Sequence, residues 1–197
     1  MPRLTRAESQ ARTRARLLEV ARTSFLRDGY VATSLDQVAD EAGFSRGAVY
    51  SNFRNKDELC QAVLDGIRVE RAREIVEIVQ AGDMAERLRL FDAWAEQVVG
   101  DPGWTRLELE FGVQVSADET LRANLAGRID QLTRVIAGGL AMIENTGSVQ
   151  PRMPADQVAV ALLSLGVGLG LFRSIHPELP TAALTNTLRV LLGLPTA

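Results

Sequence analysis

Hydrophobic residues recur at helical spacing along almost the whole chain, and no convincing strand-like alternation interrupts them. Apolar positions 35, 38, 39 and 42 form one face of a short helix, and Ala39 is small enough for a second helix to cross close by. Val49 and Phe53 then mark a second short helix that buries only one side. The pattern predicts two short helices joined by a tight turn.

Residues suited to helix ends lie at the boundaries of these two segments. Ser34 and Gln37 have the spacing of a capping box, in which two side chains accept hydrogen bonds from free backbone N–H groups. Gly43 stands where a helix ends in a left-handed residue, and Ser45 is expected to cap the next helix. The segment therefore predicts a helix-turn-helix.

Longer helical patterns follow. We expect helices over about 56–81, 85–99, 104–115, 116–144, 155–175 and 181–192, which gives an all-α fold of about nine helices. Two more capping boxes are predicted, one from Asn55 with Glu58 and one from Ser116 with Glu119.

The outward face of the second short helix is polar and almost free of acidic charge. Its residues are Arg46, Gly47, Ala48, Tyr50, Ser51 and Asn52. Residues 1–56 hold ten basic and six acidic residues, a net charge of +4, whereas residues 57–197 hold twelve and nineteen, a net charge of −7. A polar helix in the positive part of the chain suits the major groove of DNA. The alternative is an ordinary helical hairpin with a solvated face.

Five arginines and no apolar run occupy the first sixteen residues, so this segment is not a secretory signal. Arg3 and Arg6 fit either a DNA-binding arm or a merely soluble tail. Arg12, Arg14 and Arg16 are expected in the first helix, close to the DNA backbone.

Cys60 is the only cysteine, which excludes an intrachain disulfide. A buried structural thiol is expected there, and a redox sensor is the alternative.

The segment from Arg14 to Leu59 resembles the DNA-binding domain of the tetracycline-repressor (TetR) family of bacterial transcriptional regulators. The matching residues are Ala21, Phe25, Gly29, Tyr30, Thr33, Ser34, Val38, Ala39, Ala42, Gly43, Ser45, Gly47, Tyr50, Phe53, Lys56, Asp57, Glu58 and Leu59. The resemblance implies base contacts from Arg46, Gly47, Ala48 and Ser51. It implies phosphate contacts from Thr33, Ser34, Ser45, Tyr50, Asn52 and Lys56. The family often has an aromatic residue or histidine where Ser51 and Asn52 stand.

The resemblance also implies a helix-turn-helix DNA-binding domain with a basic arm over residues 1–54. A helical ligand-binding and dimerisation domain is expected over residues 55–197. Residues 157–172 are uncharged and mostly apolar, but sixteen residues fall short of a membrane span of about twenty. We therefore expect no membrane partner. The last two helices of each subunit are instead expected to form a homodimer interface, a four-helix bundle in the family.

Large apolar residues of the middle helices could line a small-molecule site or simply form the core. The candidates are Phe91, Trp94, Trp104, Phe111 and Met142. Glu108 lies inside the apolar stripe of its helix, and a buried carboxylate must be paired or protonated. It is expected to meet either a ligand or an arginine such as Arg71 or Arg128.

One histidine and one cysteine cannot build a typical zinc site, and no nucleophile elbow or phosphate-cradling loop is present. We therefore expect no enzymatic activity, no metal and no cofactor. The sequence predicts a cytoplasmic, dimeric regulator, most readily a repressor, that binds a palindromic double-stranded DNA operator and is released by a small-molecule effector. The alternative is a helical small-molecule-binding protein or enzyme whose DNA-binding end is vestigial.

Overall fold

A computed structural model describes residues 5–116 and 118–195, so the predicted arm residue Arg3 lies outside the described residues. Over the described residues the chain forms nine α-helices and no strand, which confirms the predicted all-α fold. The helices are α1 (Arg6–Ala32), α2 (Leu35–Ala42), α3 (Arg46–Tyr50), α4 (Lys56–Gln80), α5 (Met84–Val98), α6 (Pro102–Ser116), α7 (Glu119–Asn145), α8 (Ala155–Ile175) and α9 (Ala182–Leu191).

The contacts divide the chain into two compact units. Unit 1 holds the described residues up to Val69 together with Arg106–Gln114 of α6. Unit 2 holds Glu70–Thr105 and the described residues from Val115 onward. Helices α4 and α6 therefore each contribute residues to both units. The sequence-based boundary after residue 54 stays a prediction.

Helix α1 begins directly after Thr5, which forms a complete capping box with Glu8. The Thr5 hydroxyl accepts from the Glu8 backbone N–H at 3.2 Å, and the Glu8 carboxylate accepts from the Thr5 backbone N–H at 2.7 Å. Arg6 is therefore the first residue of a helix, and its assignment to an arm or tail was wrong. Arg12, Arg14 and Arg16 lie in α1, as predicted.

A break at Gly29 interrupts α1 near its end. Gly29 has φ 87° and ψ 175°, a backbone conformation that only glycine adopts readily. Two side chains of α6 hold the chain around the break. The Arg106 guanidinium donates to the Arg27 carbonyl at 2.6 Å, and the Glu110 carboxylate accepts from the Val31 backbone N–H at 3.0 Å. The break thus satisfies its free backbone groups with one cation and one anion.

The predicted caps are correct only in part. Ser34 caps α2, but the Gln37 side chain donates to Asp28 and Glu41 and does not close the predicted box. The Asn55 side chain accepts from the Glu58 backbone N–H at 2.8 Å, but the Glu58 carboxylate turns to Arg54 instead of closing the box. The capping box predicted at Ser116 was wrong, because Ser116 ends α6 and Asp118 caps α7. An aspartate directly before the helix reaches the first turn where a serine two residues earlier does not.

Helix α8 packs against α7 and α9 in unit 2. It has 21 residues and a mean hydropathy of 2.0 over its most apolar window, so by length and composition alone it could cross a membrane. The helix has the bounds 155–175 that the sequence predicted, and its uncharged stretch is the sixteen residues from 157 to 172. Only 22% of that window is buried within the chain. Length and composition do not distinguish a membrane span from a helix that another protein surface covers.

Candidate nucleic-acid interface

Helices α2 and α3 form the predicted helix-turn-helix, and the ends of both helices are set by two serine caps and one left-handed glycine. The Ser34 hydroxyl accepts from the Gln37 backbone N–H at 3.1 Å, and the Ser45 hydroxyl accepts from the Ala48 backbone N–H at 3.2 Å. Gly43 ends α2 in the left-handed region, with φ 74° and ψ 29°. The turn therefore follows directly from the residue types at these positions.

Two buried side chains hold α3 and leave its other face open. Val49 and Phe53 are buried in unit 1. The exposed residues of this segment are Ser45, Arg46, Gly47, Tyr50 and Ser51, and Ala48 and Asn52 are half-buried. Helix α3 contains no acidic residue, and the carboxylate that contacts it, Asp36 of α2, pairs with Arg46 at 2.9 Å. The exposed face is thus polar and open to a negatively charged partner.

Arg14 of α1 binds the end of the α3 segment, a role that the sequence pattern did not reveal. Its guanidinium donates to the Asn52 carbonyl at 2.5 Å and lies 4.1 Å above the centre of the Phe53 ring. The hydrogen bond holds the backbone at Asn52, and the cation–π contact holds the ring of Phe53. A contact 38 residues apart has no local signature in a single sequence.

Thr33 and Lys56, two of the candidate phosphate ligands, bind the end of α1 instead of facing outward. Thr33 is 1% exposed, and its hydroxyl donates to the Gly29 carbonyl at 2.8 Å. A phosphate contact from this hydroxyl is therefore wrong. The Lys56 ammonium donates to the Tyr30 and Thr33 carbonyls at 3.0 and 3.2 Å and lies 4.2 Å from the centre of the Tyr30 ring. Lys56 is half-buried, so its phosphate contact stays a prediction.

Cys60 is fully buried in α4, and burial raises the pKa of its thiol well above the ordinary value. Oxidation proceeds through the thiolate, which this environment disfavours. The contacts therefore support a structural thiol and argue against the redox-sensor alternative.

Glu108 was expected to meet either a ligand or an arginine, and it pairs with an arginine. The partner is Arg68, which the sequence did not single out. The Glu108 carboxylate accepts from the Arg68 guanidinium at 3.1 Å, and both side chains are largely covered. The arginine is Arg68, because α4 brings it beside α6 within unit 1, whereas Arg71 pairs with Glu74. Phe111 is buried and packs edge-on against Tyr30 with ring centres 5.7 Å apart. These contacts give Phe111 a core role.

In unit 2 the remaining aromatic candidates surround one ion pair. Phe91 and Trp94 stack with ring centres 5.6 Å apart, and the Trp94 indole donates to the Glu74 carboxylate at 2.8 Å. Both oxygens of that carboxylate also accept from Arg71 at 3.0 Å. The Arg71 guanidinium lies 5.8 Å from the centre of the Trp104 ring. Glu74, which the sequence did not single out, is thus the central acceptor of this group.

Met142, also a sequence candidate for a pocket, is 59% exposed on α7. Its assignment to a pocket or core within the chain was wrong, because the neighbouring Leu140 and Ile143 occupy the buried side of the helix. Within residues 5–116 and 118–195, no group of three or more histidine, cysteine, aspartate or glutamate side chains is placed to hold a metal ion.

Comparison with known proteins places this geometry among bacterial regulators. Residues 17–63 match the family described as "Bacterial regulatory proteins, tetR family". The transcriptional regulator TtgR of Pseudomonas putida is 45% identical over 67 residues, which cover 34% of this chain and 31% of TtgR. The chain thus matches about a third of that relative's length.

Two further proteins are similar over most of the chain. The transcriptional repressor AcnR of Corynebacterium efficiens is 25% identical over 147 residues, 73% of this chain and 72% of AcnR. The structure of the SmeT–triclosan complex superposes with a TM-score of 0.65 at 19% identity, covering 92% of this chain and 88% of SmeT. The helix-turn-helix of α2 and α3 lies inside residues 17–63, the segment that matches the TetR family, and the chain as a whole shares the all-α fold of SmeT.

Proposed function

We propose that the protein is a DNA-binding transcriptional repressor that binds a palindromic operator as a homodimer and is released by a small-molecule effector. The acid-free, exposed face of α3, held by two buried anchors, is the observation that carries this proposal. The names of TtgR and AcnR, a regulator and a repressor, support it, and the SmeT–triclosan complex supports a small-molecule effector. A regulator of bacterial genes would act in the cytoplasm.

Base reading is assigned to Arg46, Gly47, Ala48 and Ser51. Arg46 is 71% exposed at its side chain, and its ion pair with the exposed Asp36 costs little to break. Its guanidinium suits the two acceptors of a guanine edge, and the small residues at positions 47 and 48 let the helix approach the groove closely.

Phosphate contacts are assigned to Ser34, Ser45, Tyr50, Asn52 and Lys56. Hydroxyls, amides and helix N-termini suit phosphate oxygens, and such contacts fix the position of the protein without reading sequence.

Dimerisation is assigned to α8 and α9, which leave large apolar side chains uncovered. These are Val160, Val167, Phe172, Ile175 and Val190. Exposed apolar side chains on mostly apolar helices favour a protein partner. A homodimer supplies two α3 helices, and reading a palindrome requires them about 34–36 Å apart, or a multiple of that distance, along DNA.

The test is binding to the DNA just upstream of the protein's own gene, measured by gel shift and fluorescence anisotropy. Arg46→Ala should cost about 1–3 kcal/mol at one base pair and relax the preference there. Arg89→Ala is the matched control, since Arg89 is an exposed arginine of unit 2 in an ion pair with Glu86. Equal loss on operator and random DNA would contradict the role of Arg46.

Lys56→Ala should instead weaken binding to every sequence and lower the salt slope by about one. Because Lys56 also binds carbonyls at the end of α1, its unfolding curve must show that the variant is folded at the assay temperature. Loss at a single base would refute its phosphate contact.

The dimer is tested by sedimentation. Phe172→Glu puts a charge on a side chain that is 59% exposed on α8, and it should give monomers that no longer hold a palindrome. Ile129→Glu on α7, where the side chain is 55% exposed, should stay dimeric. A dimeric Phe172→Glu protein would place the interface elsewhere. Small-molecule binding without any DNA affinity at low salt would favour the alternative of a vestigial DNA-binding end.

A further inference from the structure

Two buried nitrogen donors of unit 2 have no acceptor among the described residues. They are Nε of Arg71 and Nε1 of the Trp104 indole. The two side chains are neighbours, since the guanidinium carbon lies 5.8 Å from the centre of the Trp104 ring. Buried polar groups are nearly always hydrogen-bonded, so two such donors in neighbouring side chains require an explanation.

The nearby carboxylate of Glu74 binds other donors. Glu74 accepts from Arg71 Nη1 with both oxygens at 3.0 Å and from the Trp94 indole at 2.8 Å. The two tryptophans of the chain therefore differ sharply. The N–H of Trp94 has an internal acceptor, and the N–H of Trp104 has none within residues 5–116 and 118–195.

We propose that Arg71 and Trp104 bind the acidic group of the effector, and that the effector is a small aromatic carboxylate. This inference rests on the proposed function and names its ligand class. A carboxylate offers two acceptor oxygens to two donors, whereas a neutral carbonyl offers one. Hydrogen bonds between a guanidinium and a carboxylate are charge-assisted and short. A planar aromatic body suits a site that already includes an indole face beside a guanidinium.

Glu74 leaves one donor of Arg71 available to a ligand. It neutralises the charge of Arg71 without occupying Nε, so the donor remains while the ion pair holds the guanidinium in place. A cationic ligand would meet donors only and would leave them unsatisfied.

The probes are 1-naphthoate and its neutral counterpart 1-naphthamide, which share one ring system. Both are titrated into the full-length protein by calorimetry. We expect saturable binding of one naphthoate per chain, about tenfold tighter than naphthamide, which corresponds to one charge-assisted contact. Trp104→Phe and Arg71→Lys should each weaken naphthoate several-fold. The lysine keeps an ion pair with Glu74 but lacks the second donor.

Trp94→Phe is the matched control, because it deletes an N–H that Glu74 already uses. It should bind naphthoate like the unchanged protein, yet its own melting temperature should fall. Trp104→Phe should show the reverse, with weaker naphthoate binding and a melting temperature at or above that of the unchanged protein, since it removes an unsatisfied donor. A purely structural role for the Trp104 indole would lower the melting temperature in both variants.

Three results would overturn the inference: no saturable binding of naphthoate, equal affinity for naphthoate and naphthamide, or unchanged naphthoate affinity in Trp104→Phe. Operator binding by the ligand-free protein is measured on the same samples. If the operator is bound but naphthoate is not, the ligand class fails and the proposed regulator stands. If no operator is bound, the proposed regulator fails, and the direct naphthoate titration still decides the site.

Discussion

Gly29→Ala tests whether the break in α1 is held by its contacts with α6. A Cβ at this position would have to adopt φ 87° and ψ 175°, a region that costs a non-glycine residue about 1–3 kcal/mol. It would also lie 2.7 and 2.9 Å from the two carboxylate oxygens of Glu110, closer than real Cβ contacts allow. Glu110 would have to move and give up its hydrogen bond to the Val31 backbone N–H.

That lost hydrogen bond is partly solvent-exposed, so we assign it about 1 kcal/mol. The free energy of unfolding should therefore fall by about 2–4 kcal/mol in total, a large part of the roughly 5–15 kcal/mol of a typical domain.

Two other glycines of unit 1 separate the contributions. Gly43 has a left-handed φ of 74° but open space around its Cβ position, so Gly43→Ala should cost about 1–2 kcal/mol from backbone strain alone. Gly66 lies inside α4 with open space, and Gly66→Ala should stabilise the protein by about 0.5–1 kcal/mol.

Urea unfolding followed by far-ultraviolet circular dichroism is the appropriate assay. Tryptophan fluorescence would report only on unit 2, because Trp94 and Trp104 both belong to it. The reasoning is refuted if Gly29→Ala costs no more than Gly43→Ala. It also fails if removing the Glu110 side chain does not reduce the cost of Gly29→Ala, since the clash would then contribute nothing.

Three further predictions concern unit 1. Hydrogen bonds from Gln37 and Ser24 lower the pKa of Glu41, so its contribution to stability is complete above the ordinary carboxylate pKa and is lost as the pH falls through the lower folded value. Glu41→Gln should therefore lower the urea midpoint at neutral pH and have little effect in strong acid; an equal loss at both would disprove the charge effect. Cys60 should resist a thiol-labelling reagent in the folded protein and react after denaturation, and rapid native labelling would show that α4 opens. Arg14→Leu should weaken binding to all DNA sequences alike by loosening the end of α3, and a change confined to one base pair would show direct reading instead.

Sequence reasoning succeeded where structure is decided within a few residues. The serine caps at positions 34 and 45 and the left-handed Gly43 were all predicted, because each depends on local backbone geometry and on the side chain at that position. Val49 and Phe53 followed from helical periodicity for the same reason. The exposed face of α3 could then be predicted as the residues that these two buried side chains leave outside.

Sequence-based predictions failed where a long side chain could reach several partners that are distant in the sequence. Periodicity placed Glu108 on a covered face, but three arginines of similar reach were available, and only the packing of α4 beside α6 selects Arg68. Lys56 was singled out only for DNA, and the sequence did not show that its ammonium also binds carbonyls at the end of α1. Met142 was misplaced because a large apolar side chain looks the same in a sequence whether it is covered or exposed.

Helix α3 spans only five residues, far fewer than the 12–15 or so that an isolated helix needs to persist in water. The helical conformation of α3 is therefore stabilised by the residues that pack against its buried side, and its exposed side chains contribute little to folding. Exchanging those outer side chains should redirect the protein to other operators at little cost in stability, so new regulators of this kind can evolve or be engineered without rebuilding the scaffold.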